Sequence, residues 1–286
     1  MKRIAEPLTP QGTVNSATPW HAWLALGFAD DAGATRFVER SHYGPLRVQK
    51  PLYPEGSKVC HAIIVHPPGG VVGGDELSIH ACVGNGAAAL LTTPGAAKWY
   101  RAGGRVSRQS IHLNVGENAS LEWLPQESIF FDEAHVQLDN HVELARDASY
   151  IGCEILCFGR TSSGESFASG KIEQRTSIRR EGKLVWFEQG ILEAGGDAVA
   201  SPLGLNGRTV CATLIVIGKT VSAAVIKELR ETCGEAVGIT QMKSVLVARH
   251  LGDSSEAAKQ LMTTVWQRLR PAVTGRDAVI PRIWQT

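Results

Sequence analysis

Apolar and polar positions first alternate clearly at Trp20. Trp20, Ala22, Leu24, Leu26 and Phe28 share one parity, and His21, Trp23, Ala25 and Gly27 the other. A period of two is the signature of a strand with one covered face. The stretch from Asp30 to Gly33 supplies a turn. Residues 59–66, VCHAIIVH, form a second strand that Pro67 and Pro68 stop at once. Further on, KIEQRTSIRR (171–180) and KLVWFEQGIL (183–192) flank Glu181-Gly182 as a strand pair. TVCATLIVIG (209–218) is continuously apolar, the pattern of a strand covered on both faces. After it the period changes. Residues 221–233 have helical spacing and end at Gly234, and residues 243–251 return to strand character. Asp253 or Ser254 can cap a helix over about 255–269, with Ala258, Leu261, Met262, Val265 and Leu269 as its covered stripe and Pro271 as its stop.

The middle of the chain repeats itself. IHACVGNGAAALL (79–91) aligns with IHLNVGENASLEW (111–123), and HVELARDASYI (141–151) keeps His141, Leu144, Ala148 and Ser149 in register. Each copy reads as a strand, a turn and a returning strand. Units that repeat this way stack and share one continuous core. The predicted architecture is therefore mainly β: stacked β-hairpins in a large β-solenoid-like sheet assembly, with two α-helices near the C-terminus. Residues 1–19 read as a loose arm. Residues 20–286 read as one domain, β-rich over 20–208 and mixed β/α over 209–286.

Composition refines this picture. The chain has 286 residues, 30 glycines and 13 prolines, a balance suited to short strands and many turns. Its formal net charge of +1 gives no bulk attraction to nucleic acid or to an anionic membrane. The first residues lack the apolar run of a signal peptide, and no apolar stretch is long enough to span a bilayer. Cys60, Cys82, Cys153, Cys157, Cys211 and Cys233 accordingly read as reduced thiols of a cytoplasmic protein.

Chemistry is sparse. HPPGGVVGGDEL (66–77) carries four glycines, which allow close approach of another chain or ligand. It has no Gly-Lys-Ser/Thr ending and no basic residue for phosphate; Asp75 and Glu76 suit a cation instead. GNGAAA (84–89) matches a dinucleotide fingerprint in form only, because no helix can begin before Pro94. In TTPGAAKWYR (92–101), Lys98, Trp99, Tyr100 and Arg101 could form an exposed partner-binding patch, or the two aromatic rings could plug the edge of the core. No spacing of cysteine and histidine forms a closed zinc pattern, and no serine elbow or His-Glu-x-x-His occurs. Glu122 and Glu154 stand in strongly strand-like segments. An inward carboxylate there would need a partner or water, as in a hydrated internal passage; an outward position on a half-exposed strand is the ordinary alternative.

Six segments together resemble the UreD (UreH) family of urease accessory proteins: GPLRVQKPLYPEG (44–56), HPPGGVVGGDEL (66–77), TTPGAAKWYR (92–101), LPQESIFFDEA (124–134), FGRTSSGESF (158–167) and PRIWQT (281–286). They run in family order along nearly the whole chain. The resemblance implies a mostly β, non-enzymatic protein that binds the urease apoprotein and an all-helical partner, UreF. Through UreF it implies contact with the nickel-carrying GTPase UreG. It implies no tightly bound cofactor but nickel in transit, by way of a tunnel proposed for the family. On that reading Asp75 and Glu76 are the first candidates along the nickel route, with Glu188 and Glu154 behind them, and the C-terminal helical region contacts UreF. Two other readings stand beside it. One is a metal-dependent hydrolase using Asp75, Glu76 and His66 or His80; the other is a stand-alone β-rich module for a small ligand.

Overall fold

The computed structural model describes residues 19–285. The arm expected over 1–19 lies, apart from Pro19, outside the described residues. The chain opens with a hairpin, β1 (His21–Asp31) and β2 (Ala34–Tyr43), turned by Ala32 and Gly33. Next come β3 (Arg47–Val48) and β4 (Cys60–Val65). Three coils follow: β5 (Glu76–Val83), β6 (Ala88–Thr92) and β7 (Ala97–Trp99); β8 (Ser107–Val115), β9 (Ser120–Leu124) and β10 (Ser128–Phe130); β11 (Ala134–Leu144) and β12 (Ser149–Phe158). A hairpin, β13 (Gly170–Arg180) and β14 (Lys183–Glu193), closes the coiled part, and one helical turn, α1 (Asp197–Ala200), follows it. The C-terminal part comprises β15 (Val210–Ile217), α2 (Ala223–Cys233), β16 (Val237–Met242), β17 (Val245–Gly252) and α3 (Ser255–Thr274).

The strands form two sheets. The first has seven strands in the order β14-β13-β11-β8-β5-β1-β2; the second has ten, with the path β16-β17-β15-β12-β9-β6-β4-β3. β5, β8 and β11 pair in parallel in the first sheet, and β6, β9 and β12 in the second. This is the stacked, solenoid-like assembly that the sequence repeat predicts. The two strands of each repeat lie in opposite sheets, so each bonds to its counterpart in the next coil and the turn between them is an arch over the core. The aligned repeat positions coincide in space: His80 pairs with His112 and His112 with His141. Their rings stack on the outer face of the first sheet, with centroids 4.8 and 5.1 Å apart.

Alternation in the strands fills the space between the sheets. Leu77, Ile79, Ala81 and Val83 of β5, with Ile111, Leu113 and Val115 of β8, face Leu121 and Trp123 of β9 in one apolar core. A second core lies behind the second sheet, where α2 and α3 cover the outward residues of β12, β15 and β17. Ser222 and Ser254 cap these helices, and Gly234 and Gly275 end them. The covered stripe of α3 contains Ala258, Met262, Val265 and Leu269 as its spacing predicts, together with Trp266, Arg270 and Val273; Leu261 is only partly covered. Pro271 does not stop this helix, which runs on to Thr274. Proline removes only its own N–H, and the loss is absorbed in a final turn that Gly275 closes by donating to the Pro271 carbonyl.

Candidate functional site: a cavity between the sheets

The core between the sheets is not filled throughout. A cavity of about 280 Å³ runs from the Gly-rich loop toward β14 and β15. Gly69, Gly70 and His66 line one end, Ile79, Ile111, Trp123 and Tyr150 the middle, and Glu154, Glu188 and Thr213 the other end. Its wall contains polar side chains at strand positions where the alternation calls for apolar ones. Asn140 stands between Leu138 and Val142 on the covered face of β11, and Gln174 and Thr176 lie on that face of β13. Polar groups in such a place require hydration or mutual hydrogen bonds. Asn140 donates to Thr176, and Gln174 donates to the Glu154 carboxylate.

Two expected route residues thus share one site. Glu154 projects inward from β12, and Glu188 comes from β14 across the gap. Burial and the facing charge of Glu188 push the Glu154 carboxyl up to about 7, against the opposing bond from Gln174. Cys211, two residues before Thr213 on β15, has a thiol raised by burial and responds to the charges of Arg249, Glu154 and Glu188. Arg249 on β17 reaches across to Glu188, with Nη2 2.5 Å from Oε1. Among the described residues, no three His, Cys, Asp or Glu side chains are arranged to hold a metal ion. A cation would meet carboxylate and amide oxygens here, with no closed cage.

The other expected residues lie elsewhere. Asp75 is 3% exposed. One carboxylate oxygen accepts the main-chain N–H of Trp20 at 2.9 Å, and the other that of Val72 at 3.0 Å. The side chain therefore fastens the Gly-rich loop. Glu76 points from the opposite face of the chain, beside His21 and Arg108. His80 stands with it on the outer face of the first sheet, hydrogen-bonded to Ser78. The four side chains of the hydrolase reading therefore do not converge. His66 does line the cavity, and its Nε2 has no hydrogen-bond partner among the described residues. Burial holds this imidazole below its ordinary range, against the pull of Asp75.

The chain that approaches the glycines closely is the protein's own. A Cβ on Gly73 would lie 1.8 Å from the Ala102 carbonyl oxygen, and one on Gly70 would lie 2.5 Å from the Tyr100 ring. Tyr100 donates its hydroxyl to the Gly69 carbonyl and sets its ring edge-on to Phe131. Trp99 is not part of an exposed patch. It is 1% exposed and stacks near Phe130, because β7 turns its side chain into the core while Lys98 faces solvent. Arg101 is exposed and pairs with Glu133.

Glu122, the other acid in a strand-like segment, is neither cavity-lining nor half-exposed. It points to the far side of β9, beneath α3, where Arg270 and Trp266 donate to it. Arg270 also reaches Glu55, which receives His61 at 2.6 Å. Local pattern could not reveal this cluster, since its partners lie far apart in sequence.

A sequence model of the UreD urease accessory protein family matches residues 21–285. A Janthinobacterium sp. (strain Marseille) protein named urease accessory protein UreD is 64% identical over 93% of this chain and 91% of its own length. Proteins of the same name from Nitrosospira multiformis and Dechloromonas aromatica are 55% and 46% identical, over 95% and 93% of this chain and 99% and 95% of their own.

Proposed function

The chain belongs to the UreD family of urease accessory proteins and serves urease maturation; from that premise, we propose that it is a non-catalytic scaffold that binds apo-urease and passes nickel toward its active site through the cavity between the sheets. The observation that carries this reading is the set of polar side chains in the wall of that largely apolar cavity, above all Glu154 and Glu188 at one end of it. Oxygen donors in an open arrangement hold a divalent ion weakly enough to let it leave. A closed cage of thiolates and imidazoles would retain it.

Each residue has a limited task on this reading. Glu154 and Glu188 draw the ion, with Gln174 and Asn140 offering amide oxygens beside them. His66 offers a neutral imidazole nitrogen at the opposite end. Asp75 keeps the Gly-rich loop closed over the cavity wall, and Glu76 stays outside it. UreF and, through UreF, the UreG GTPase are the partners that would supply the ion. The helical layer of α2 and α3 is the surface assigned to UreF. No helix of the described residues is long and apolar enough to cross a membrane.

The test is deletion and restoration of this gene in cells carrying a complete urease operon. Stable, nickel-poor and inactive urease after deletion, with both nickel and activity recovered on restoration, is the expected result. Fully loaded urease in the deletion strain would overturn the reading.

A further inference from the structure

Glu188 lines the cavity wall on β14, and its partner is Arg249 on β17. Glu154 pairs in register with Thr213, and Thr213 with Arg249, so the three occupy one row across the second sheet. In the first sheet the corresponding row is Asn140, Thr176 and Glu188. The rows face one another. Asn140, Thr176 and Thr213 in these rows are polar and uncharged and Glu154 is an acid; at the far end of the rows the Arg249 guanidinium bridges β17 to Glu188 on β14. These two strands belong to different sheets, so the contact spans the gap between them.

The charges in this place are two carboxylates and one guanidinium. With Arg249 on Glu188, a single negative charge is left for a visiting ion. With Arg249 swung away and Glu154 ionised, the pair carries two, matching a divalent cation. Among the described residues, the side chain of Arg249 has Glu188 as its one ion-pair partner. The two side chains are 48% and 30% exposed, and ion pairs this open to water contribute little and exchange readily. Arginine cannot lose its proton in this setting, so it can vacate the site only by moving.

We propose that Arg249 is a displaceable counter-ion that gates the β14 end of the cavity, yielding Glu188 to a divalent cation that then lies between Glu188 and Glu154. The inference rests on the nickel-route reading above. Arg249 acts as a positioning residue: it sets the charge that the ion meets.

The experiment uses apo-urease in complex with this chain and its accessory partners, activated with bicarbonate over a series of nickel concentrations. Arg249→Gln is expected to lower the nickel concentration for half-maximal activation by roughly two- to fivefold, the scale of one exposed charge pair. The final activity should be retained. Arg249→Lys, which keeps the charge, should restore the wild-type midpoint, and Arg249→Met gives a second reading of the same shift if the glutamine variant fails to fold. An unchanged midpoint, or a lower plateau at an unchanged midpoint, overturns the gate. Glu154→Gln and Glu188→Gln separate the two claims. If both raise the midpoint while Arg249→Gln does nothing, the gate alone is wrong. If none of the three has an effect, the route fails with it.

Discussion

The guanidinium of Arg270 on α3 lies 2.9 Å from the carboxylate of Glu122 on β9, and both side chains are sealed from water. Arg270 is also the counter-ion of Glu55. Removing it leaves two desolvated carboxylates; Glu55 keeps its bond to His61, and Arg276 acts on both acids only through its charge. Truncating one partner of a buried pair leaves an uncompensated charge, so Arg270→Ala is expected to destabilise the fold by about 3–5 kcal/mol. Urea denaturation followed by tryptophan fluorescence measures this. Glu122→Gln in the same background should recover part of the loss. A loss no larger than that of an exposed arginine would show the cluster to be energetically idle.

The raised Glu154 carboxyl makes activation pH-dependent. A group with a folded pKa of about 7 is protonated below that value and charged above it. Nickel-dependent activation should therefore steepen as pH rises through 7, and Glu154→Gln should flatten the profile. The stability effect runs the other way. An acid whose pKa is raised on folding favours the native state at low pH, and that contribution is lost as pH rises from the ordinary carboxylate range through 7. Glu154→Gln should thus raise the melting temperature at pH 8 more than at pH 5.

The His112 imidazole responds with the opposite sign. Burial first, then the neighbouring His80 and His141, hold His112 below its ordinary value of 6.5, with Asp139 opposing them. The unfolded chain therefore takes up this proton more readily. Stability contributed by neutral His112 is complete above pH 6.5 and declines as pH falls below it. His112→Asn should flatten the melting temperature between pH 7 and pH 5, and an identical slope in wild type and variant would refute the assignment.

Gly73→Ala forces a methyl group onto the Ala102 carbonyl. The backbone of one segment must shift, and overpacking of this kind costs about 1–3 kcal/mol. Gly190→Ala meets nothing within 4 Å and serves as the neutral comparison. Protease cleavage within residues 66–77 of Gly73→Ala, and its absence in Gly190→Ala, would locate the effect in the loop.

The start and covered stripe of helix α3 were legible because their signals are local: Ser254 at its start, and Ala258, Met262, Val265 and Leu269 at helical spacing; its end was placed too early, at Pro271 rather than Gly275. The ladder was legible because its coils are near copies, so His80, His112 and His141 mark the register directly. The arch was not. Gly84-Asn85-Gly86 would serve a hairpin equally well, and only pairing with the next coil decides between them. The same limit governed the cavity. Glu154 was conspicuous as an acid in an apolar strand, but Arg249, 61 residues beyond Glu188, looked like any charge on a strand. Asp75 was conspicuous for the wrong reason: its oxygens are taken by the main chain of Trp20 and Val72, and Trp20 lies 55 residues away.

The parallel stack also sets an order of assembly. Glu122 sits on a strand completed in the first half of synthesis, while Arg270 follows 148 residues later and Trp284, which donates to Thr92, later still. Until those residues leave the ribosome, the Glu122 carboxylate must stay in water, and the outer face of the second sheet has no cover. The early coils therefore wait, half-dressed, for the last turn of the chain. During that wait their bare apolar strands are best kept apart from those of neighbouring chains, which ties efficient production of this protein to slow crowding and prompt release.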